Sequence, residues 1–328
     1  MSMAYEVPAS ENGFMRILFL GKTFPSSREH LRAVLPDDEI TDATPREAKA
    51  IGLRAEVVIP TMCRVDSGLM DAVKPRLIQQ FGVGLEGVDL DAARAREIAV
   101  ANVPAAETGN ASSVAELALL HLLVLFRRYG EARQAVGAGR LGEPIGEALS
   151  GKSAVLVGLG AVGQEVAARL HALGFKVIAV GRTSLAPGAP LPRNVDAHYS
   201  AAELTTALAQ ADCTVVCAAL TPATRGLIGA PQIDSMPKGS FLVNVARGPV
   251  VEYEALLAAL RSGHLGGAGL DVFWDEPIDP SDPLLRENVS VTPHVGGVTV
   301  SSYRAIAHAI AENVEHLRRG EPVRNRHA

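Results

Sequence analysis

Ala154-Val155-Leu156-Val157-Gly158-Leu159-Gly160-Ala161-Val162-Gly163 decides how this 328-residue chain folds. Four apolar residues read as a buried strand, three glycines follow in the spacing G-x-G-x-x-G, and Gln164–Leu173 continues as a helix. Strand before and helix after are the context in which that spacing has physical meaning. Gly158 makes the tight turn, Gly160 lets the backbone approach a pyrophosphate, and Gly163 allows helix and strand to pack closely. Ala161 and Val162 then open the helix whose N-terminus receives the diphosphate. The stretch predicts the phosphate-binding crossover of a parallel α/β sheet.

Working outward, six short apolar runs predict a doubly wound, Rossmann-type sheet: Ser153–Val157, Lys176–Val180, Cys213–Ala219, Ser240–Val245, Ala268–Val272 and Val289–Val291. An earlier block gives strands at Met15–Gly21, Glu56–Pro60, Leu77–Gly82 and Ala99–Val103, with helices near Arg28–Leu35, Val65–Val73 and Asp91–Arg96. That block predicts a second, flavodoxin-like parallel sheet. Between them Ala111–Arg128, capped by Asn110, is too apolar for a lone surface helix and is expected to pack between domains or subunits. Ser301–Arg319 carries Ile306, Ile310, Val314 and Leu317 on one stripe and stops at Gly320. It is expected to return to the first domain. The boundaries that follow are residues 1–106 with 298–328 for substrate binding, and 107–297 for the NAD(P)-binding Rossmann domain. Leu185–Asn194 reads as a Pro-rich surface connection.

Composition excludes several functions. Lys+Arg 31 against Asp+Glu 36 gives 31 − 36 = −5, without a basic block, so no nucleic-acid partner is expected. The longest apolar stretch, Leu117–Phe126, is interrupted by His121 and is about half a membrane span, so no membrane partner is expected either. Glu6, Pro8, Glu11 and Asn12 stand where a secretory signal needs an apolar core. Cys63, Cys213 and Cys217 are odd in number, and the last two, if on one continuous strand, lie about 13 Å apart, too far to be bridged. A reducing, cytoplasmic setting is expected, and no metal is called for.

The residues that end the later strands carry the chemistry. Where an NAD-binding fold places an acid for the ribose hydroxyls, this chain reads Val180-Gly181-Arg182-Thr183. A guanidinium there suits a 2′-phosphate, which predicts NADP over NAD. Asn244-Val245-Ala246-Arg247-Gly248-Pro249, Asp271-Val272-Phe273-Trp274-Asp275-Glu276-Pro277 and Thr292-Pro293-His294-Val295-Gly296-Gly297 all fall at carboxyl ends of strands, where ligands bind in open α/β sheets. Arg247, Glu276 and His294 supply what reduction of a 2-keto acid needs: a cation for the carboxylate, a proton donor for the carbonyl, and a neighbour that keeps the donor charged.

These segments resemble the D-isomer-specific 2-hydroxyacid dehydrogenases, a family that includes glyoxylate/hydroxypyruvate reductases. The likeness extends to Gly82-Val83-Gly84-Leu85-Glu86-Gly87-Val88-Asp89, Ser113-Val114-Ala115-Glu116, Leu220-Thr221-Pro222-Ala223-Thr224-Arg225 and Asn313. It implies that Arg247 holds the substrate carboxylate and carbonyl, that His294 is the acid/base paired with Glu276, and that Val83 and Gly84 bind the carboxylate through their backbone. It further implies that Asp271 takes the nicotinamide carboxamide, with Leu220, Thr221, Thr224, Ala246, His294 and Gly296 also lining the cofactor. Hydride would pass between nicotinamide C4 and substrate C2 in a cleft between two closing domains, in a homodimer formed through the cofactor domain by a helix like Ala111–Arg128.

Departures narrow the choice of relative. Val83 stands where phosphite-oxidising relatives have lysine, and Glu276 where formate dehydrogenases have glutamine. No regulatory domain is expected after Ala328, which disfavours a serine-sensing phosphoglycerate dehydrogenase. The expectation is an NADPH-preferring reductase of glyoxylate or hydroxypyruvate. The alternatives are an NAD-linked D-glycerate, D-lactate or D-3-phosphoglycerate dehydrogenase and, more remotely, a dinucleotide-sensing corepressor, against which the acidic balance argues.

Overall fold

The computed structural model describes residues 13–328, so Glu6, Pro8, Glu11 and Asn12 lie outside the described residues. The chain divides into two compact units, one running to Gly109 and resuming at Val300–Ala328, the other Asn110–Thr299.

The first unit is a five-stranded parallel sheet in the order β2-β1-β3-β4-β5. Its elements are β1 (Arg16–Leu20), α1 (Pro25–Val34), β2 (Glu39–Ala43), α2 (Pro45–Ile51), β3 (Val57–Pro60), α3 (Ser67–Val73), β4 (Leu77–Gln79), α4 (Leu90–Arg94) and β5 (Ala99–Ala101). Ile17, Leu18, Phe19 and Leu20 are wholly buried, as a central parallel strand covered on both faces requires. The helix that covers one face comes from the far end of the sequence. After the second unit the chain returns as α11 (Val300–Arg318), whose Ile306, Ile310 and Val314 pack with Met15, Ile17, Phe19 and Leu31. Asn313 fastens it, donating to Gln79 Oε1 at 2.8 Å and accepting from the Arg324 N–H at 2.8 Å. Sequence patterning finds four of the five strands. β2 escapes it because Glu39-Ile40-Thr41-Asp42-Ala43 is an edge strand with only Ala43 buried, so no apolar run marks it.

The second unit opens with α5 (Asn110–Phe126) and α6 (Tyr129–Gly137), then β6 (Ser153–Val157), α7 (Ala161–Ala172), β7 (Lys176–Gly181), β8 (Ala197–Ser200) and α8 (Leu204–Leu208). It continues with β9 (Cys213–Val216), α9 (Ala230–Ser235), β10 (Phe241–Asn244), α10 (Tyr253–Arg261), β11 (Gly267–Leu270) and β12 (Val289–Val291). The seven parallel strands run β12-β11-β10-β9-β6-β7-β8, so the order reverses between β6 and β9, the point at which such sheets bind ligands. Val114, Ala118 and Leu122 of α5 pack with Val166 and Leu170 of α7 on one face. Leu204, Leu208, Ile233 and Leu256 cover the other.

Three expectations change here. The sheet has seven strands rather than six, because the edge strand β8 is only partly buried and carries no apolar run. The long helix ends at Phe126 rather than Arg128, whose left-handed backbone (φ 49°) breaks it and starts α6. β9 stops at Val216, so Cys217 leaves the strand, and all three cysteines are free. Among the described residues no single helix is long and apolar enough to cross a membrane.

Candidate active site

Carboxyl ends of β6, β7, β9, β10, β11 and β12 present the residues of the second unit that the sequence singles out. At β6 the chain turns through Gly158 at φ 99°, a left-handed value that favours glycine. A Cβ there would also lie 2.8 Å from the backbone of Ala218. A Cβ on Gly163 would lie 2.2 Å from the Gly158 carbonyl oxygen, so α7 can cross this closely only without one. Gly160 differs: it is the N-cap of α7, its Cβ would meet nothing within 4 Å, and no side chain caps the helix. The open cradle thus lies at the donor-rich first turn formed by Ala161 and Val162. These residues fit a dinucleotide diphosphate. Across the sheet, Thr224 Oγ1 donates to the Ala219 carbonyl at 2.6 Å and accepts from the Thr221 N–H at 2.8 Å, which fixes the Leu220–Thr224 loop. Arg182 and Thr183 emerge exposed just past β7.

Three loops at the far half of the sheet interlock. Asn244 is fully buried and clamps the first of them, donating from Nδ2 to the Arg247 carbonyl at 2.9 Å and accepting from the Ala246 N–H at 3.0 Å. Arg247 Nη1 donates to the Ala246 carbonyl at 2.7 Å. The next residue, Gly248, is pressed on the second loop so closely that a Cβ would fall 2.2 Å from the Phe273 carbonyl. From that loop Glu276 accepts the Phe273 N–H at 2.9 Å with Oε1, and its Oε2 meets His294 Nδ1 at 2.7 Å. Glu276 and His294 side chains are 13% and 23% exposed, so their contact is only partly screened by water.

Asp271, 2% exposed, organises the third loop. Its Oδ1 accepts the Val295 N–H at 2.8 Å, its Oδ2 the Gly296 N–H at 2.8 Å, and its carbonyl the His294 N–H at 2.8 Å. His294 is thereby held at φ 54°, a left-handed conformation costing roughly 1–3 kcal/mol for a residue with a Cβ. Such strain persists where surrounding bonds over-determine it.

Charge states follow from these contacts. Burial favours the neutral acid at Glu276, but the His294 hydrogen bond and charge, the Phe273 N–H and the nearby charge of Arg247 together outweigh it and hold the carboxyl below its ordinary range. At Asp271 burial prevails over its donors and pushes the carboxyl up.

Sequence reasoning missed the support beneath this loop. His121 of α5, fully buried, has Nδ1 2.9 Å from Ser290 Oγ and Nε2 3.1 Å from Thr292 Oγ1. Thr292 Oγ1 donates to Asp271 Oδ1 at 2.6 Å, so it accepts from His121 Nε2–H, and His121 Nδ1 in turn accepts from Ser290. Burial pushes the imidazole down to about 4, which keeps it neutral in that role. Gly269 makes room, since a Cβ there would lie 2.5 Å from the Cβ of His121. The signal was a histidine in an otherwise apolar helix. Among the other expected site residues, Val83 and Gly84 belong to the first unit, after β4. There Asn102 Nδ2 donates to the Val83 carbonyl at 2.9 Å and Gly82 takes φ 125°.

Residues 119–296 match the family model described as D-isomer specific 2-hydroxyacid dehydrogenase, NAD binding domain. The chain is 35% identical over 273 residues to a D-3-phosphoglycerate dehydrogenase of Archaeoglobus fulgidus, covering 82% of this chain and 50% of that one. It therefore spans about half the length of the phosphoglycerate dehydrogenases it resembles. It is 33% identical over 268 residues to a glyoxylate reductase of Thermococcus litoralis, covering 79% of this chain and 78% of that one. Among solved structures, the NADPH-dependent glyoxylate/hydroxypyruvate reductase of Sinorhizobium meliloti, in complex with NADP and malonate, superposes with a TM-score of 0.81 at 29% identity, covering 96% of this chain and 97% of that one.

Proposed function

The chain belongs to the D-isomer specific 2-hydroxyacid dehydrogenases, a family of NAD(P)-dependent oxidoreductases acting on CH–OH groups, and from that premise we propose that it is an NADPH-preferring 2-keto acid reductase of the glyoxylate or hydroxypyruvate type. The observation that carries this reading is the 2.7 Å contact between Glu276 and His294, within reach of the charge of Arg247. Arg247 binds the substrate carboxylate and orients the keto group. His294, held through Nδ1 by Glu276, gives its proton to the carbonyl oxygen as the alcohol forms, and takes it back in the reverse direction. When bound, a nicotinamide cofactor would supply or accept the hydride. Asp271 holds the carboxamide end, and the residues Leu220, Thr221, Thr224, Ala246 and Gly296 line the remainder. Val83 and Gly84 serve as backbone ligands of the substrate carboxylate.

Preference for NADP rests on Gly181-Arg182-Thr183 where an acid would read a ribose diol, and it is supported by the Sinorhizobium meliloti relative that carries NADP. We assign substrate binding to the first unit and the cofactor to the second. A homodimer through the second unit is supported by Leu120 and Leu123 on the outside of α5, by Val136 on α6, and by Leu141 and Ile145 beyond it, all exposed. Three free cysteines suit a cytoplasmic location. The test is a panel of glyoxylate, hydroxypyruvate, pyruvate and bulkier 2-keto acids, each with NADPH and with NADH. Glyoxylate or hydroxypyruvate with NADPH should give the highest kcat/KM; a larger value for a bulky acid or for NADH overturns the substrate or the cofactor assignment respectively.

A further inference from the structure

Gly181 ends β7 at the position where an acid would take the ribose hydroxyls, and its backbone does not explain why it is glycine. It is not among the residues with positive φ. The neighbouring strand explains it. β8 pairs in parallel with β7, Ala179 opposite His198 and Gly181 opposite Ser200, and the His198 ring leans along the sheet over Gly181. A Cβ at position 181 would lie 2.6 Å from His198 Nε2 and 3.0 Å from Cε1. On the other edge of the ring Nδ1 is buried with no hydrogen-bond partner. Native proteins rarely leave a buried polar atom unmatched without cause. With Nδ1 enclosed and unpartnered, Nε2 is the ring nitrogen placed to meet a ligand, and it faces Gly181. Glu203, the carboxylate that feels His198, is engaged by the Ser200 N–H at 2.9 Å and hydroxyl at 2.7 Å.

We propose that His198 is a specificity-determining residue at the adenosine-ribose end of the cofactor site: from the adjacent strand its imidazole fills the space an acidic side chain at position 181 would enter, and presents Nε2–H to a 2′-phosphate beside Arg182 and Thr183. The inference rests on the NADP reading above and adds to it. It makes cofactor choice a property of two strands, with the steric exclusion of the acid and the donor to the phosphate supplied by one ring.

The test is calorimetric binding of NADP⁺ and NAD⁺ to the full chain, with kcat/KM for NADPH and NADH alongside. His198→Ala should weaken NADP⁺ about tenfold, one charge-assisted hydrogen bond, and leave NAD⁺ within about twofold. His198→Gln, which keeps a donor, should recover most of the loss. Gly181→Asp alone should weaken NADP⁺ and gain little NAD⁺ because the ring blocks the carboxylate, whereas Gly181→Asp with His198→Ala should bind NAD⁺ at least about tenfold better than Gly181→Asp. Equal losses of both nucleotides in His198→Ala, or a Gly181→Asp enzyme that takes NAD⁺ as well as the double variant does, overturns the role of His198 while leaving the NADP reading intact. A wild-type chain that binds NAD⁺ more tightly than NADP⁺ overturns that reading, and the phosphate role of His198 with it.

Discussion

Replacing Glu276 with glutamine removes one charge and one acceptor from the pair while keeping the size of the side chain. The amide oxygen can accept from the Phe273 N–H or from His294 but not from both, so one of the 2.9 Å and 2.7 Å contacts is left facing the amide nitrogen. What is lost is the difference between a charge-assisted and a neutral hydrogen bond, about 1–1.5 kcal/mol. The pair is under a quarter exposed on either side, so solvent screening does not erase the charge. A loss of that size is about tenfold in the step that uses the proton. The sign follows: reduction needs the proton, the carboxylate holds it, and without the charge the proton is lost at lower pH. The basic limb of the kcat/KM profile for keto acid reduction should therefore move to lower pH. Oxidation of the 2-hydroxy acid at neutral pH should suffer less, because it needs the unprotonated ring. The assay is initial-rate NADPH consumption from mildly acidic to alkaline pH, with the reverse reaction as control. A Glu276→Gln enzyme whose rate falls while both limbs stay in place would refute the pairing as the source of the proton.

Further outcomes follow from the same contacts. Arg182→Ala should raise the NADPH KM about tenfold or more and leave the NADH value nearly unchanged, read from paired steady-state titrations. Arg247→Ala should cost more in kcat/KM than any other single truncation in the site, because it removes both carboxylate binding and carbonyl orientation. Thr292→Val strips Asp271 of its 2.6 Å donor and strands His121 Nε2–H, so the thermal midpoint should fall by the equivalent of about 1–3 kcal/mol and the NADPH KM should rise. Glu276 also links stability to pH. Its folded carboxyl sits below the ordinary range, so its contribution is present above that range and is lost as pH falls through the folded value. Melting curves of Glu276→Gln should accordingly decline less than those of wild type on acidification.

The two parallel sheets were legible because their central strands are buried on both faces and appear as unbroken apolar runs: Val155-Leu156-Val157 and Ile17-Leu18-Phe19-Leu20 have no polar interruption. β2 and β8 were not, since an edge strand need bury only one residue and its sequence then resembles a loop. α5 was legible as a helix, but its end was set by a left-handed Arg128 that no propensity announces. In the site, residues that act by chemical type could be named: an arginine, a glutamate and a histidine in Gly/Pro-rich segments. Those that act by position could not. Asn244 and Thr292 matter because of which backbone groups their side chains reach, and Gly248 because Phe273 passes where its Cβ would be. His121 stood out in its apolar helix, but only the fold brings it within hydrogen-bond distance of Ser290 and Thr292.

The account stands most directly on His294 as the proton donor, and a comparison of turnover with binding isolates that claim. Wild type and His294→Ala are titrated with NADPH by fluorescence, then supplied at saturating NADPH with the best keto acid of the panel. The account predicts similar NADPH affinity for both, and a kcat at least about 10²-fold lower in the variant, the usual scale for one general acid/base. A His294→Ala enzyme that binds NADPH and reduces the keto acid at the wild-type rate would contradict it.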